Sequence, residues 1–351
     1  MSPRPLVFDG HNDTLTHLLR PDRGRGRLML TESAVGHIDL PRATRGGLGG
    51  GIFAIFAHDP SGAEPPITFT PEGYAVGLPE PLPHEVAAAW TDAVIDSLDA
   101  IVVASKGAIE RVTDAASLRR CLADGTFAVV LHLEGAEAID PDLERLHHYH
   151  ARGLRSLGLV WSRPNAFGHG VPFRFPHSPD TGPGLTEAGA RLVRACNALG
   201  VVVDLSHLNA AGFQDVARLS EAPLVATHSN AHALCASTRN LTDAQLDAVG
   251  ASGGVIGVNF CPAFLRDDGA DDLTTSLDTV VAHVRYIVDR IGVAHVALGS
   301  DFDGATVPDA LADVTRLPDL LDALGRAGFD ADELRQLAHG NWLRLLDATW
   351  R

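Results

Sequence analysis

The sequence has no CxxC pair, no GxGxxG fingerprint behind its first apolar run, no basic block, and no apolar stretch near about 18 residues. Each absence closes a class of function. Four cysteines, Cys121, Cys196, Cys235 and Cys261, lie far apart, which excludes a zinc knuckle or disulfide framework and reads as buried free thiols. Without the glycine fingerprint, an open dinucleotide-binding sheet is the weaker fold reading. A formal charge of −16 without a basic face argues against nucleic acid, whose phosphates need one. The lack of a long apolar run argues against a membrane-spanning helix. Met1-Ser-Pro-Arg-Pro leads directly into an apolar run ending at Asp9, without the h-region and cleavage site of a secretory signal. A cytoplasmic protein is expected.

What is present is an ordinary globular mix. Hydrophobic residues make up 45% and charged residues 21% of 351, enough for a sizeable core. No internal repeat or linker divides the chain, so one domain over residues 1–351 is expected. Eight short β-prone runs stand out: Leu6–Phe8, Ile52–Ala57, Phe127–Leu133, Leu154–Trp161, Val201–Leu205, Leu224–Thr227, Val255–Phe260 and His295–Gly299. Helical stretches separate most of them. Val86, Trp90, Val94, Leu98 and Ile101 share one helical face, and Thr186–Leu199, Thr242–Val249 and Leu273–Ile291 read similarly. Strand alternating with helix eight times predicts a closed (β/α)₈ barrel. Asp59–Pro83 and Asn165–Gly184 are rich in proline and glycine and read as long loops shaping a pocket.

The polar residues at the strand ends carry the chemistry. His11 and Asp13 follow the first strand two residues apart, which on an extended chain puts both on one face. Glu134 follows the third strand, His207 the fifth, His228 the sixth and Asp301 the eighth. In a parallel barrel these ends converge on the rim where active sites of this fold lie. A strand-end histidine alone is usually a satisfied polar residue, and the chain has 17 histidines. Five candidate ligands, His11, Asp13, Glu134, His207 and His228, at the ends of four predicted strands are much harder to dismiss. Three imidazoles and two carboxylates suit zinc or a similar divalent ion, and a shared glutamate can hold two metals about 3.5–4 Å apart. Asp9, His132 and Asp204 lie nearby and read as turn caps or ligand-orienting groups. His147, His148 and His150 fall on a predicted helix, where a solvated or packing role is expected.

These residues occur within a longer series of motifs. Asp9-Gly-His-Asn-Asp, His37-Ile-Asp-Leu-Pro-Arg with Gly46-Gly-Leu-Gly-Gly, Leu133-Glu-Gly-Ala-Glu, Asp204-Leu-Ser-His, His228-Ser-Asn, Ser237-Thr-Arg-Asn-Leu and Gly299-Ser-Asp-Phe-Asp-Gly follow one another in this order. The order resembles that of the membrane (renal-type) dipeptidases, metallopeptidase family M19 of the amidohydrolase superfamily, from about residue 5 to about residue 347. The resemblance implies two zinc ions, one on His11 and Asp13, the other on His207 and His228, with Glu134 bridging. It implies that Arg239 grips the substrate's terminal carboxylate, a task suited to a guanidinium fork. Asp301 would steer the attacking water and move its proton. The implied substrates are dipeptides, with tolerance of a D-residue at the carboxyl end. One position departs from the pattern. Trp161 stands where the family carries a histidine thought to hydrogen-bond the substrate carbonyl, and an indole has one donor and no titratable nitrogen. Trp161 could also simply fill a pocket wall, and His169 on the following loop is a candidate replacement donor.

Two other functions stay open at this point. The same metals could serve a lactone, an N-acyl amino acid or a cyclic amide, or the site could bind metal without catalysis. The sequence admits a homodimer and does not require one.

Overall fold

The computed structural model describes residues 4–62 and 65–350. Residues 63 and 64, inside the first predicted loop, lie outside the described residues. Eight parallel strands follow one another around a near-closed barrel: Val7–Asn12, Leu48–Phe56, Phe127–Glu134, Leu154–Gly158, Val202–Asp204, Val225–Ala226, Val255–Val258 and Val296–Leu298. Ile109–Arg111 adds a short parallel strand beside the third. The last strand returns to the first at its carboxyl end. There Asp301 N–H donates to His11 O at 3.0 Å, and Asp13 N–H donates to Phe302 O at 2.9 Å. Asp9 reinforces this seam by accepting from Ser300 N–H at 2.7 Å and from its hydroxyl at 2.8 Å. No helix among the described residues is long and apolar enough to cross a membrane.

Alternation along the strands builds the interior in layers. Phe8, Ile52, Val130, Val202, Val225, Val255 and Ala297 pack with Trp342, Leu345 and Leu346 of the C-terminal helix Asn341–Thr349. Two residues further along, the same faces carry Gly10, His132, Asp204, Thr227, Gly257 and Gly299. Two further on come Glu134, Asn259 and Asp301. An apolar plug therefore gives way to a small and polar layer, and that layer to the charged rim. The larger apolar cluster lies between the barrel and its helices. All four cysteines are buried and free.

Several predicted boundaries move. The first strand runs on to Asn12, so His11 lies within it. The chain then turns at Asp13 (φ −100°, ψ 20°) to start the helix Thr14–Leu19, instead of staying extended. The second strand, predicted from Ile52, starts at Leu48, because Gly49-Gly-Gly lets neighbouring backbone approach: a Cβ on Gly50 would lie 2.2 Å from Ala128 O. The fourth strand stops at Gly158, and Trp161 lies in the loop beyond it. The helix predicted from Leu273 begins at Leu277, because Asp272 accepts Thr274 N–H at 2.9 Å and holds a turn. The helix predicted from Thr242 has the expected start, a capping box between Thr242 and Gln245.

The two proline-rich loops hold structure that their composition hides. Ile67–Thr70 and Gly73–Val76 form a hairpin, and Arg174–Phe175 from the second loop pairs with it as a third antiparallel strand. The hairpin strands are short and lie exposed or half-exposed, so they carry no buried period for a sequence to show.

The layered interior makes a stability prediction. A Cβ on Gly10 would lie 2.3 Å from Trp342 Cζ2, 2.8 Å from Thr227 O and 2.9 Å from Leu298 O. Gly10→Ala is expected to cost about 1–3 kcal/mol or more, as overpacking does. Gly325→Ala, on a helix and 3.8 Å from its nearest neighbour, should leave stability unchanged or raise it. Urea denaturation midpoints of the two variants check the contrast.

Candidate metal centre

His11, Asp13, Glu134, His207, His228 and Asp301 meet at the carboxyl ends of five strands, all buried. Glu134 Oε1 lies 3.1 Å from His207 Nε2, 3.4 Å from His228 Nε2 and 3.5 Å from His11 Nε2. His11 Nε2 is also 3.5 Å from Asp13 Oδ2. Two triads, His11–Asp13–Glu134 and Glu134–His207–His228, thus share one carboxylate, and His11, His228 and Asp301 form a third.

Hydrogen bonds behind the rings fix which nitrogen faces the centre. Thr227 Oγ1 donates to Asp204 Oδ2 at 2.6 Å, so toward His228 Nδ1, 2.8 Å away, it can only accept. That places the proton on Nδ1 and leaves the Nε2 lone pair free. His207 Nδ1 lies 3.0 Å from Ser162 Oγ, and His11 Nδ1 lies 3.4 Å from Thr227 Oγ1. Asp204 is held in turn by the N–H groups of Ser206 and Thr227. His132 Nδ1 meets Ser156 Oγ at 2.8 Å, one layer below Glu134. Asp204 and Thr227 therefore orient two ligands, as outer partners of metal sites commonly do. Asp9 serves the barrel seam.

The donor set fits a divalent cation. His11 Nε2 is buried and has no hydrogen-bond partner. His207 Nε2 and His228 Nε2 face each other at 3.0 Å, although the bond behind His228 puts its proton on Nδ1 and leaves its Nε2 with none to share. Burial, with the charges of Asp13 and Asp301, pushes the Glu134 carboxyl well above its ordinary range. Burial opposes charge on His11, yet Glu134, Asp13 and Asp301 together outweigh it and lift that ring to about 10. Burial and nearby positive charge push His207 and His228 well below the usual histidine range, so they stay neutral. Neutral nitrogens and crowded carboxylates around one point call for positive charge there.

Asp301 stands beside this cluster at φ 61°, and Asn259 Nδ2 donates to its Oδ2 at 2.8 Å. A Cβ on Gly304 would lie 2.4 Å from Asp301 Oδ1 and 2.2 Å from Asp13 Oδ2, so these two oxygens flank one glycine. Arg239 is buried behind His228. Its Nη2 donates to His228 O at 3.2 Å, its Nε lacks a partner, and its guanidinium lies 5.5 Å from the Phe264 ring centre.

A cavity of about 370 Å³ opens over the cluster. Asp13, Glu134, His207 and Asp301 lie at one end, and Phe56, Trp161, Phe173 and Phe264 form an apolar wall. Ile67 and Val76 of the hairpin cover one side, and Arg20, Arg23 and His58 also line it. Trp161 packs 4.8 Å from Phe56, 5.6 Å from Phe173 and 5.9 Å from His207, centre to centre. His169 does not come to the cluster: its Nδ1 is 3.3 Å from Gly184 O, and it does not line the cavity. Three contributing residues escaped the sequence reading. Thr227 adjoins His228 and Asn259 lies one residue before the end of the seventh predicted strand, positions that could have flagged them; Ser162 carries no such signal.

Residues 2–350 match the family described as membrane dipeptidase, peptidase family M19. A crystal structure of a metallo peptidase from Rhodobacter sphaeroides, liganded with a phosphinate mimic of the dipeptide L-Ala-D-Ala, is 48% identical. It superposes with a TM-score of 0.93 over 99% of this chain and 100% of its own. The structure of dipeptidase AC, a metallo peptidase of family M19, gives 49% identity and a TM-score of 0.93 over 99% of each chain. Dipeptidase tcpJ of Claviceps purpurea is 28% identical over 342 residues, 96% of this chain and 76% of its own.

The Thr227 hydroxyl makes a prediction separate from activity. Thr227→Val keeps the shape and removes the link from Asp204 to His228 and His11. Metal affinity should fall about 10–100-fold, as losses of this kind do. Competition against a chromophoric chelator measures it.

Proposed function

The chain belongs to the membrane dipeptidases of peptidase family M19, and from that premise we propose that it hydrolyses dipeptides with free amino and carboxyl ends, using two zinc ions bridged by Glu134. The observation that carries this reading is the sharing of Glu134 between the His11–Asp13 and His207–His228 pairs. Two divalent ions held there would lower the pKa of a water and polarise the scissile carbonyl.

The chain's own groups supply the rest. Arg239 binds the substrate's terminal carboxylate, and its partnerless Nε is a donor already desolvated for that contact. Asn259 holds one oxygen of Asp301, so the other is free to take a proton from water and hand it to the leaving amine. Trp161 offers an indole N–H toward the carbonyl oxygen, and with Phe56 and Phe173 it excludes water from the wall of the cavity. His169, bonded within its own loop, would have to turn to serve as donor. The dipeptide mimic bound by the Rhodobacter protein supports a small substrate and a D-residue at its carboxyl end. One domain over residues 1–351 would carry all of this, in the cytoplasm.

A second reading keeps the site and changes the bond to that of a lactone, an N-acyl amino acid or a cyclic amide. Trp161, standing where the family carries a histidine, favours it. Turnover of the zinc-loaded protein on L-L and L-D dipeptides, their amides and simple lactones separates the two. Free dipeptides should be cleaved well and their amides poorly.

Two substitutions divide the roles. Asp301→Asn keeps shape and removes the proton acceptor, so kcat should fall about 10²–10⁴-fold with metal content retained. Metal analysis and steady-state rates on one sample check it. Arg239→Lys replaces a fork with a point charge and should raise KM for free dipeptides more than it lowers kcat. Equal binding of dipeptide amides and free acids by the unaltered enzyme would remove the carboxylate clamp.

A further inference from the structure

The segment from Arg27 to Arg42 holds the motif His37-Ile-Asp-Leu-Pro-Arg, and neither Arg27 nor His37 lines the cavity. Both close on Asp303, two residues beyond Asp301. The Asp303 carboxylate is fully buried, and both its oxygens are engaged. Oδ1 accepts His37 N–H at 2.7 Å, while Oδ2 accepts Thr14 Oγ1–H at 2.8 Å and Arg27 Nη2–H at 2.5 Å. Asp303 N–H donates back to His37 Nδ1 at 2.7 Å.

Arg27 is itself held without slack. Its Nη1 donates to Val35 O and Ile38 O at 3.1 and 3.0 Å, and a Cβ on Gly36 would lie 2.1 Å from that nitrogen. Arg42 braces the same turn through Asp39 Oδ2 at 2.6 Å and Gly36 O at 2.8 Å. Asp301 and Asp303 both sit in the left-handed region, at φ 61° and 66°, where residues other than glycine rarely stay unaided.

We propose that Arg27 and His37 are positioning residues, which act through Asp303 to hold Asp301 in the conformation that aims its carboxylate over the metal ligands. The inference rests on the role given above to Asp301. Asp303 borders the cavity, but both its oxygens are already engaged within the fold, so its part is to hold the strand end. A buried ion pair is weak support for stability, since apolar packing often serves as well. Its value here is geometric. Asp301 N–H is tied to His11 O, and Phe302 O to Asp13 N–H, so a shift at Asp303 displaces the proton carrier against the cluster. Small displacements of reacting groups lower rate far more than they lower binding.

The test uses Arg27→Met, Arg27→Lys, Asp303→Asn and the double variant Arg27→Met with Asp303→Asn, all zinc-loaded. Both Arg27→Met and Asp303→Asn should lower kcat about tenfold to a hundredfold with KM and metal content nearly unchanged. The double variant should lose no more than the worse single one, and Arg27→Lys, which keeps the charge but not the fork, should fall between the unaltered enzyme and Arg27→Met. A crystal structure of Arg27→Met should show Asp301 out of the left-handed region or out of reach of Asn259 Nδ2. Rates within about twofold of the unaltered enzyme in both single variants overturn the proposal, as does a fall in metal content parallel to kcat. An undisturbed Asp301 in that crystal overturns it too. If Arg27→Met does not fold, His37→Phe removes the Nδ1 acceptor at a half-exposed position and takes the same readouts. Failure of the Asp301 role shows separately, as an unchanged kcat in Asp301→Asn, while the crystal still reports whether the clamp sets its conformation.

Discussion

Glu134 is buried with one oxygen within 3.5 Å of three ring nitrogens, and two further carboxylates stand beside them. Removing this much like charge from water is expensive unless a cation sits among it. Much of the surrounding architecture answers that constraint. The strand ends bring donors from five strands to one point. Thr227 turns the His228 ring so that its Nε2 lone pair faces inward, and Ser162 holds the His207 ring from behind. The glycines at 10, 257 and 299 keep the layer beneath small, with backbone packed where side chains would otherwise stand. The apolar plug around Trp342 closes the barrel below, so solvent does not reach the polar groups from that side.

The same constraint explains what the sequence could show. Residues that must face a metal are few in kind, and the strand period places them at the ends of apolar runs. That His11, Glu134, His207, His228 and Asp301 converge on one rim could therefore be read without coordinates, and the barrel with it. Residues that act through another residue carry no such mark. A threonine such as Thr227 or an asparagine such as Asn259 is common, and its role appears only when its partner is seen in space. The Arg27–Asp303 pair joins positions 276 residues apart, beyond any local pattern. The hairpin over the cavity was hidden for another reason: its strands lie at the surface, pair with a two-residue strand from a distant loop, and bury no regular face. The Gly49-Gly-Gly run hides the start of the second strand, since glycine usually weakens a strand but here admits close backbone.

Family membership and the cavity lead to a dipeptidase, and the finer chemistry follows from how charge is arranged inside it. Arg239 is buried behind His228 with an unpartnered Nε, and Asp301 stands beside the cluster on a carboxylate half committed to Asn259. Trp161 packs against Phe56, Phe173 and His207, which makes that wall apolar.

The central claim is that Glu134 bridges two ions. Anomalous scattering from crystals of the zinc-loaded protein, with metal content measured on the same batch, tests it most directly. Two peaks about 3.5–4 Å apart are expected, one beside His11 and Asp13 and the other beside His207 and His228, each in contact with Glu134. A single fully occupied peak with one metal per chain, or two peaks that Glu134 does not touch, would contradict it.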